Sequence, residues 1–175
     1  MEVDLYYFLG MILKEMKLMR CLKAYFVKGL YIMSYEKSSS VITAEGAMAA
    51  IQAAAAKGTE IDRAVNIVVA DNGGNVVASL RMNGAMLMSY DIARDKAFTS
   101  AATGAPTGVL YDVLVDAGPG VLAGIVKREG IAAFGGGLPI LSNGILLGAI
   151  GVSVASEEED IICAQAGIDA LGMSE

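Results

Sequence analysis

Histidine is absent from all 175 residues. With it go the commonest general base, the commonest metal ligand and every Ser-His or Cys-His nucleophile arrangement. Cysteine occurs only at Cys21 and Cys163, far apart and without CxxC spacing, which excludes a disulfide framework or zinc site and fits a reducing cytoplasm. Charged residues are 18%, against about 25% in an average soluble protein, so little polar surface is available for solvent. Positive charge is scarcest where a fold is expected. The net charge is −6, and the first 37 residues hold six Lys/Arg and four Asp/Glu, so the remainder carries seven positive and fifteen negative groups, or −8. A nucleic-acid surface needs the opposite balance. The longest early apolar run stops at Lys14, short of the roughly 18 to 20 residues that cross a bilayer. Neither GxGxxG nor GxxxxGK[ST] occurs, which removes the usual nucleotide loops.

What is present is apolar and finely divided. Hydrophobic residues make up 55% and glycine 21 of 175, pointing to close backbone approach and to burial on both faces of a sheet or between subunits. The length suits one domain. Residues 1–40 read as an extension, basic and apolar by turns, and residues 41–175 as the domain. Three readings of the extension stand: a start set upstream of a natural opening at Met33, a basic amphipathic helix lying on a membrane or a partner, or a helix packed on the domain.

Within the domain, Thr43 is a helix N-cap and the alanine-rich run that follows reaches about Lys57, closed by Gly58. Val65 to Ala70 is β-branched, Asp71-Asn72-Gly73-Gly74 is turn chemistry, and Asn75 to Met82 resumes as a strand, together a hairpin. A long helix is expected over about 85–102, stopped by Gly104. A shorter helix starts at Pro106 and ends near Gly118, and 119–130 is a looser segment with room for a helical turn or two. Ser142-Asn143-Gly144 between apolar runs is a strong hairpin signal, and Ser156 with Glu159 forms a capping box for the last helix. The order α-β-β-α-α-β-β-β-α implies an α+β fold whose antiparallel sheet carries helices on one or both faces.

Several residues carry candidate chemistry. Lys96 lies in an apolar helical stretch with Thr99 and Thr103 one and two turns on, which puts one amine and two hydroxyls on a single face. With Arg81 they could hold a carboxylate or phosphate; alternatively Lys96 forms a salt bridge to Asp91, Asp95 or a neighbouring subunit. Gly135-Gly136-Gly137 ahead of Leu138-Pro139 either exposes backbone N–H groups to a ligand or makes a tight crossover between strands. Met82, Met86 and Met88 could fill irregular core space or ligate a soft metal such as haem iron. Glu157 to Asp160 reads first as dipole stabilisation of a helix start and second as a hard-cation site.

Taken in order, Val68 to Val77 (VVADNGGNVV), Arg81 to Ala85, Asp91-Ile92-Ala93 with Lys96 to Thr99, Pro106-Thr107, Gly135 to Pro139 and Gly148 to Ser153 resemble the family called GlcG, HbpS or PduO C-terminal domain, over about residues 42–172. The resemblance implies a profilin-like fold with an antiparallel sheet of about five strands flanked by helices. It implies a homo-oligomer, from dimer to octamer, that binds a small molecule, haem or a related tetrapyrrole in some members; the cysteine usage adds a cytoplasmic setting, the charge balance no nucleic-acid partner, and a membrane partner is the less expected reading. The ligand-binding residues it suggests are Arg81, Lys96, Thr99, Thr103, Thr107, Gly135, Gly136, Gly137 and Pro139, with no resident metal and no assigned catalytic residue. The chain departs from the family in having no imidazole for iron, and in Val154-Ala155 where further glycines are usual. Two other functions stay open: an auxiliary enzyme acting on a small carboxylate or phosphate metabolite of glycolate, diol or corrinoid metabolism through Lys96, and a structural assembly subunit.

Overall fold

In a computed structural model, residues 38–173 are described; the readings of the extension up to residue 37 lie outside the described residues. Helix α1 spans Ala44–Glu60, and its Thr43 hydroxyl accepts the Gly46 N–H at 3.1 Å, the expected cap. Strands β1 (Asn66–Asp71) and β2 (Val76–Arg81) form the first hairpin. Helix α2 is Ser89–Thr103, followed by a 3₁₀ turn at Thr107–Val109 and two short helices, α3 (Leu110–Asp116) and α4 (Pro119–Ile125). Strands β3 (Gly137–Ser142) and β4 (Ile145–Ser153) form the second hairpin, and α5 (Glu157–Asp169) closes the fold.

The sheet is antiparallel with order β2-β1-β4-β3. Four strands replace the expected five or so, because Ile145–Ser153 is one continuous strand and the glycines before β3 are not paired as another. Period-2 alternation then sorts β1 between two layers. Ile67 and Val69 join Ile150 and Val152 against α1 and α5, while Val68 and Ala70 meet Ala93 and Ala97 of α2 on the opposite face.

Three local expectations shift. Gly58 lies inside α1 and does not end it; a Cβ there would come within 2.9 Å of the Arg63 carbonyl, so the glycine serves packing. Helix α2 starts at Ser89 because 82–88 turns first, with Ala85 N–H on Met82 O and Ser89 N–H on Met86 O. Pro106 precedes a 3₁₀ turn and the helix expected from it begins only at Leu110; the looser segment after it holds α4, the helical turn or two expected there, with Pro119 at its first turn where a missing N–H costs nothing.

The second hairpin turns on Asn143 (φ 49°) and Gly144 (φ 73°), two successive left-handed residues as a two-residue type I′ turn requires. Helix α2 can lie close on the sheet only because residue 151 is glycine: a Cβ there would collide with the Ala93 carbonyl and stand 2.6 Å from the Ala97 nitrogen.

Candidate functional site

Each of two helices carries one charge within its buried stripe. In α2 the stripe is Ala93, Lys96, Ala97 and Ser100; in α5 it is Asp160, Cys163, Ala164 and Gly167. The fold brings the two charges together. Lys96, 1% exposed, places Nζ 2.7 Å from Asp160 Oδ2 and 2.9 Å from the Val152 carbonyl, with the Phe134 ring centroid 4.9 Å away. Two ammonium hydrogens have oxygen acceptors and the third has an aromatic face. Asp160 Oδ1 accepts the Ala155 N–H at 3.1 Å. Burial pushes the amine down and the carboxyl up from their ordinary values, and their hydrogen bond and mutual attraction oppose both shifts. Good geometry on every polar atom keeps such a pair charged inside a protein.

The partner of Lys96 is therefore Asp160, whereas Asp91 and Asp95 both pair with Arg94 on the surface. The acidic run 157–160 is divided in use. Asp160 turns inward, Glu159 bridges outward to Arg63 at 3.0 Å, and Glu157 Oε2 accepts the Gly135 N–H at 2.6 Å. The signal for Asp160 was its position: it stands three and four residues before buried Cys163 and Ala164, as Lys96 stands among alanines. The Cys163 thiol is pushed up to about 11, mainly by burial, so at neutral pH it behaves as a small apolar group.

The three glycines are a crossing point where backbones and side chains meet. A Cβ at Gly136, whose φ is +113°, would stand 2.6 Å from Lys96 Nζ; one at Gly137 would stand 2.6 Å from the Lys96 carbonyl; one at Gly135 would stand 2.8 Å from Ile161 Cδ1. Several of their polar groups are occupied by the chain itself. Gly137 N–H donates to Thr107 Oγ1 at 3.0 Å, Thr107 donates onward to Phe134 O at 2.7 Å, and Gly136 O accepts the Val152 N–H at 2.8 Å. Thr99 ties the segment preceding them, donating to Gly130 O and accepting from Ala132 N, and Thr103 donates back to Thr99 O. Arg81 stands exposed at the end of β2. Met82 Sδ accepts from Val65 N at 3.4 Å, while Met86 and Met88 face solvent.

On the outer side of the glycines lies a pocket of about 810 Å³ between the 3₁₀ turn and the start of α5. Pro106, Val109, Leu138 and Ile161 give it apolar walls, Gly136 and Gly137 its back, and Glu157 and Glu158 a carboxylate rim. A second hollow of about 350 Å³ continues past Pro106 and Leu138 to Pro139 and Ile168. Of the residues singled out in the sequence, Gly136 and Gly137 line the first and Pro139 the second; Lys96, Thr99, Thr103, Thr107 and Arg81 line neither. Val109 and Ile161 were not read as site residues, because nothing local distinguishes them from an ordinary helix stripe, and Glu157 and Glu158 were read only as helix-start charge or a hard-cation site. Among the described residues no group of three or more Cys, Asp or Glu side chains could hold a metal ion, and no helix is long and apolar enough to cross a membrane.

The family described as haem degrading protein HbpS-like matches residues 42–169. The chain belongs to the HbpS-like family. An uncharacterized 15.0 kDa protein from the dhaT-dhaS intergenic region of Citrobacter freundii is 33% identical over 137 residues, 78% of this chain and 96% of its own length. Among solved structures, the protein ORFY of Klebsiella pneumoniae superposes with a TM-score of 0.75 at 32% identity, covering 82% of this chain and 99% of that one. A PduOC:heme complex superposes at 0.70 with 28% identity, covering 77% and 97%. The antiparallel sheet flanked by helices is thus the HbpS-like fold.

Proposed function

We propose that this HbpS-like chain is a ligand-binding domain that takes haem or a related tetrapyrrole, without a histidine ligand, in the pocket beside Gly136 and Gly137. The observation that carries the reading is the pocket itself: about 810 Å³ falls within the roughly 300 to 1,000 Å³ of small-molecule and cofactor sites. Its chemistry fits the group. Pro106, Val109, Leu138 and Ile161 suit a planar apolar ring, and Glu157, Glu158 and Ser156 offer oxygen donors where imidazole is absent. The expectation that Arg81 and Lys96 neutralise ligand carboxylates finds no support in their positions, so propionates would point away from the acidic rim toward solvent. Haem, when bound, would supply a redox-active iron centre. The related PduOC structure, solved as a haem complex, supports the same reading.

The functional unit in this reading is residues 41–175, acting as a homo-oligomer in the cytoplasm. The exposed side chains of Tyr111, Val113, Val115, Val121 and Val126 on and beside α3 and α4 favour assembly. An enzyme working through Lys96 is disfavoured, because its amine is enclosed and fully bonded.

Titration of the purified chain with hemin, followed at the Soret band, tests the reading. The expected result is a saturable shift at a Kd below about 1 μM, weakened at least roughly tenfold by Ile161→Asp, which places charge on the apolar wall. A linear, unsaturable uptake that Ile161→Asp leaves unchanged would remove haem and redirect the search to other flat apolar ligands.

A further inference from the structure

We propose that the Lys96–Asp160 ion pair is a positioning element for the pocket: it holds the β4–α5 connection in a strained shape and thereby fixes the glycine wall and the rim. The proposal rests on the reading that this pocket is the ligand site. The pair grips the connection from both sides. Lys96 Nζ donates to the Val152 carbonyl at 2.9 Å, and Asp160 Oδ1 accepts the Ala155 N–H at 3.1 Å. Between those two anchors lies Val154 with φ +147°. A β-branched residue is an outlier at positive φ and persists there only when its surroundings over-determine it. Glycine would accept that conformation without strain; this chain has valine and a clamp.

The grip reaches the pocket in two steps. Val152 N–H donates to Gly136 O at 2.8 Å, which sets the back wall, and the Ser156 capping box starts α5 immediately after the gripped segment. Glu157 is the first residue of that helix, and its carboxylate accepts the Gly135 N–H at 2.6 Å. Gly136 and Glu157 both line the pocket. A pair of apolar side chains of similar shape would fill the same space but could neither donate to Val152 O nor accept from Ala155 N. Packing and positioning can therefore be separated.

The test uses the full chain and the variants Lys96→Met/Asp160→Leu and Lys96→Leu/Asp160→Leu. Removing Lys96 alone strands a buried carboxylate, which a double replacement avoids; Lys96→Leu/Asp160→Leu carries the same comparison where the first double variant is too unstable to study. Amide hydrogen exchange by NMR is read at Gly135 and Ala155 and, as reference, at Val68 and Val69 in the central strand. The expected result is exchange at Gly135 and Ala155 faster by at least roughly tenfold beyond any change at the reference amides, with hemin affinity down by at least roughly tenfold on the same samples. A uniform change across all four amides overturns the proposal, because the pair is then only structural. So does a Gly135 amide unprotected in the wild type, or a loosened connection that leaves hemin affinity intact. Failure of the wild type to bind hemin at all sinks the haem reading instead, and the exchange comparison alone then decides whether the pair positions the wall.

Discussion

The two faces of the sheet are built to different rules. Against α1 and α5 the core is aliphatic, with Ile51, Ile67, Ile140, Ile150, Val65, Val69 and Val152 fully buried. Against α2 the apolar contacts are small, Val68, Ala70, Ala93 and Ala97, and the buried polar residues Lys96, Thr99, Ser100 and Thr107 belong to α2 or the turn that follows it. The first face holds the fold by removing apolar area from water. The second holds helix and sheet at short range through backbone contact and directed hydrogen bonds, and the glycine crossing and the pocket lie at its end.

A substitution on each face separates the two rules. Gly151→Val puts a side chain into the Ala93 carbonyl and the Ala97 nitrogen, and backbone cannot yield as a side chain does. The expected loss reaches the exceptional range of about 4 to 5 kcal/mol or more, read as failure to give a cooperative thermal transition. On the other face Ile150→Ala, one residue away, leaves a cavity among aliphatic neighbours and should cost about 3 kcal/mol while the chain still folds, as measured by urea denaturation. Equal tolerance at 150 and 151 would mean that α2 is not held by close approach and would collapse the distinction.

The same distinction explains what could be read ahead of the structure. Caps and turns are local chemistry, so Thr43, Asn143-Gly144, Gly104 and the Ser156–Glu159 box stand where the sequence puts them. The aliphatic face follows from periodicity. The α2 face does not, because its determinants are pairings across the chain: nothing near Lys96 names Asp160, 64 residues on, and nothing in Gly135 to Gly137 says that the amides of Gly135 and Gly137 are claimed by Glu157 and Thr107. The resemblance to HbpS-like proteins identified the family and its layout. It could not distinguish a lysine that opens onto a pocket from one enclosed behind the pocket's glycines, because both place a cation at the same point of the motif. Pocket residues such as Val109 and Ile161 escape for the opposite reason, since each looks like any exposed aliphatic on a helix.

Acid sharpens the comparison at its smallest scale, between two neighbouring carboxylates of α5. Asp160 faces inward to Lys96 and its carboxyl is pushed up by burial; Glu159 faces outward, and its hydrogen bond from Arg63, with help from the Ser156 N–H, holds it below its ordinary value of 4.5. A carboxyl lowered by folding contributes stability that is present above the ordinary value and is lost as pH falls through the folded one. The Glu159 contribution should therefore begin to fall below about pH 4.5 and be lost once the pH has passed the folded value. Arg63→Gln removes the main cause of that shift without touching Asp160. The expected outcome is a small destabilisation at pH 7, since exposed pairs contribute little, that shrinks toward zero as the pH falls through the folded Glu159 value, read from urea midpoints for both proteins at each pH. Asp71 is also held low, by hydrogen bonds from Asn75 and Gly73 that outweigh its burial, but it is common to both proteins and cancels in the difference. A difference that grows on acidification would mean that Arg63 acts through something other than the Glu159 carboxylate, and that the outer surface of α5 is as tightly organised as its inner one.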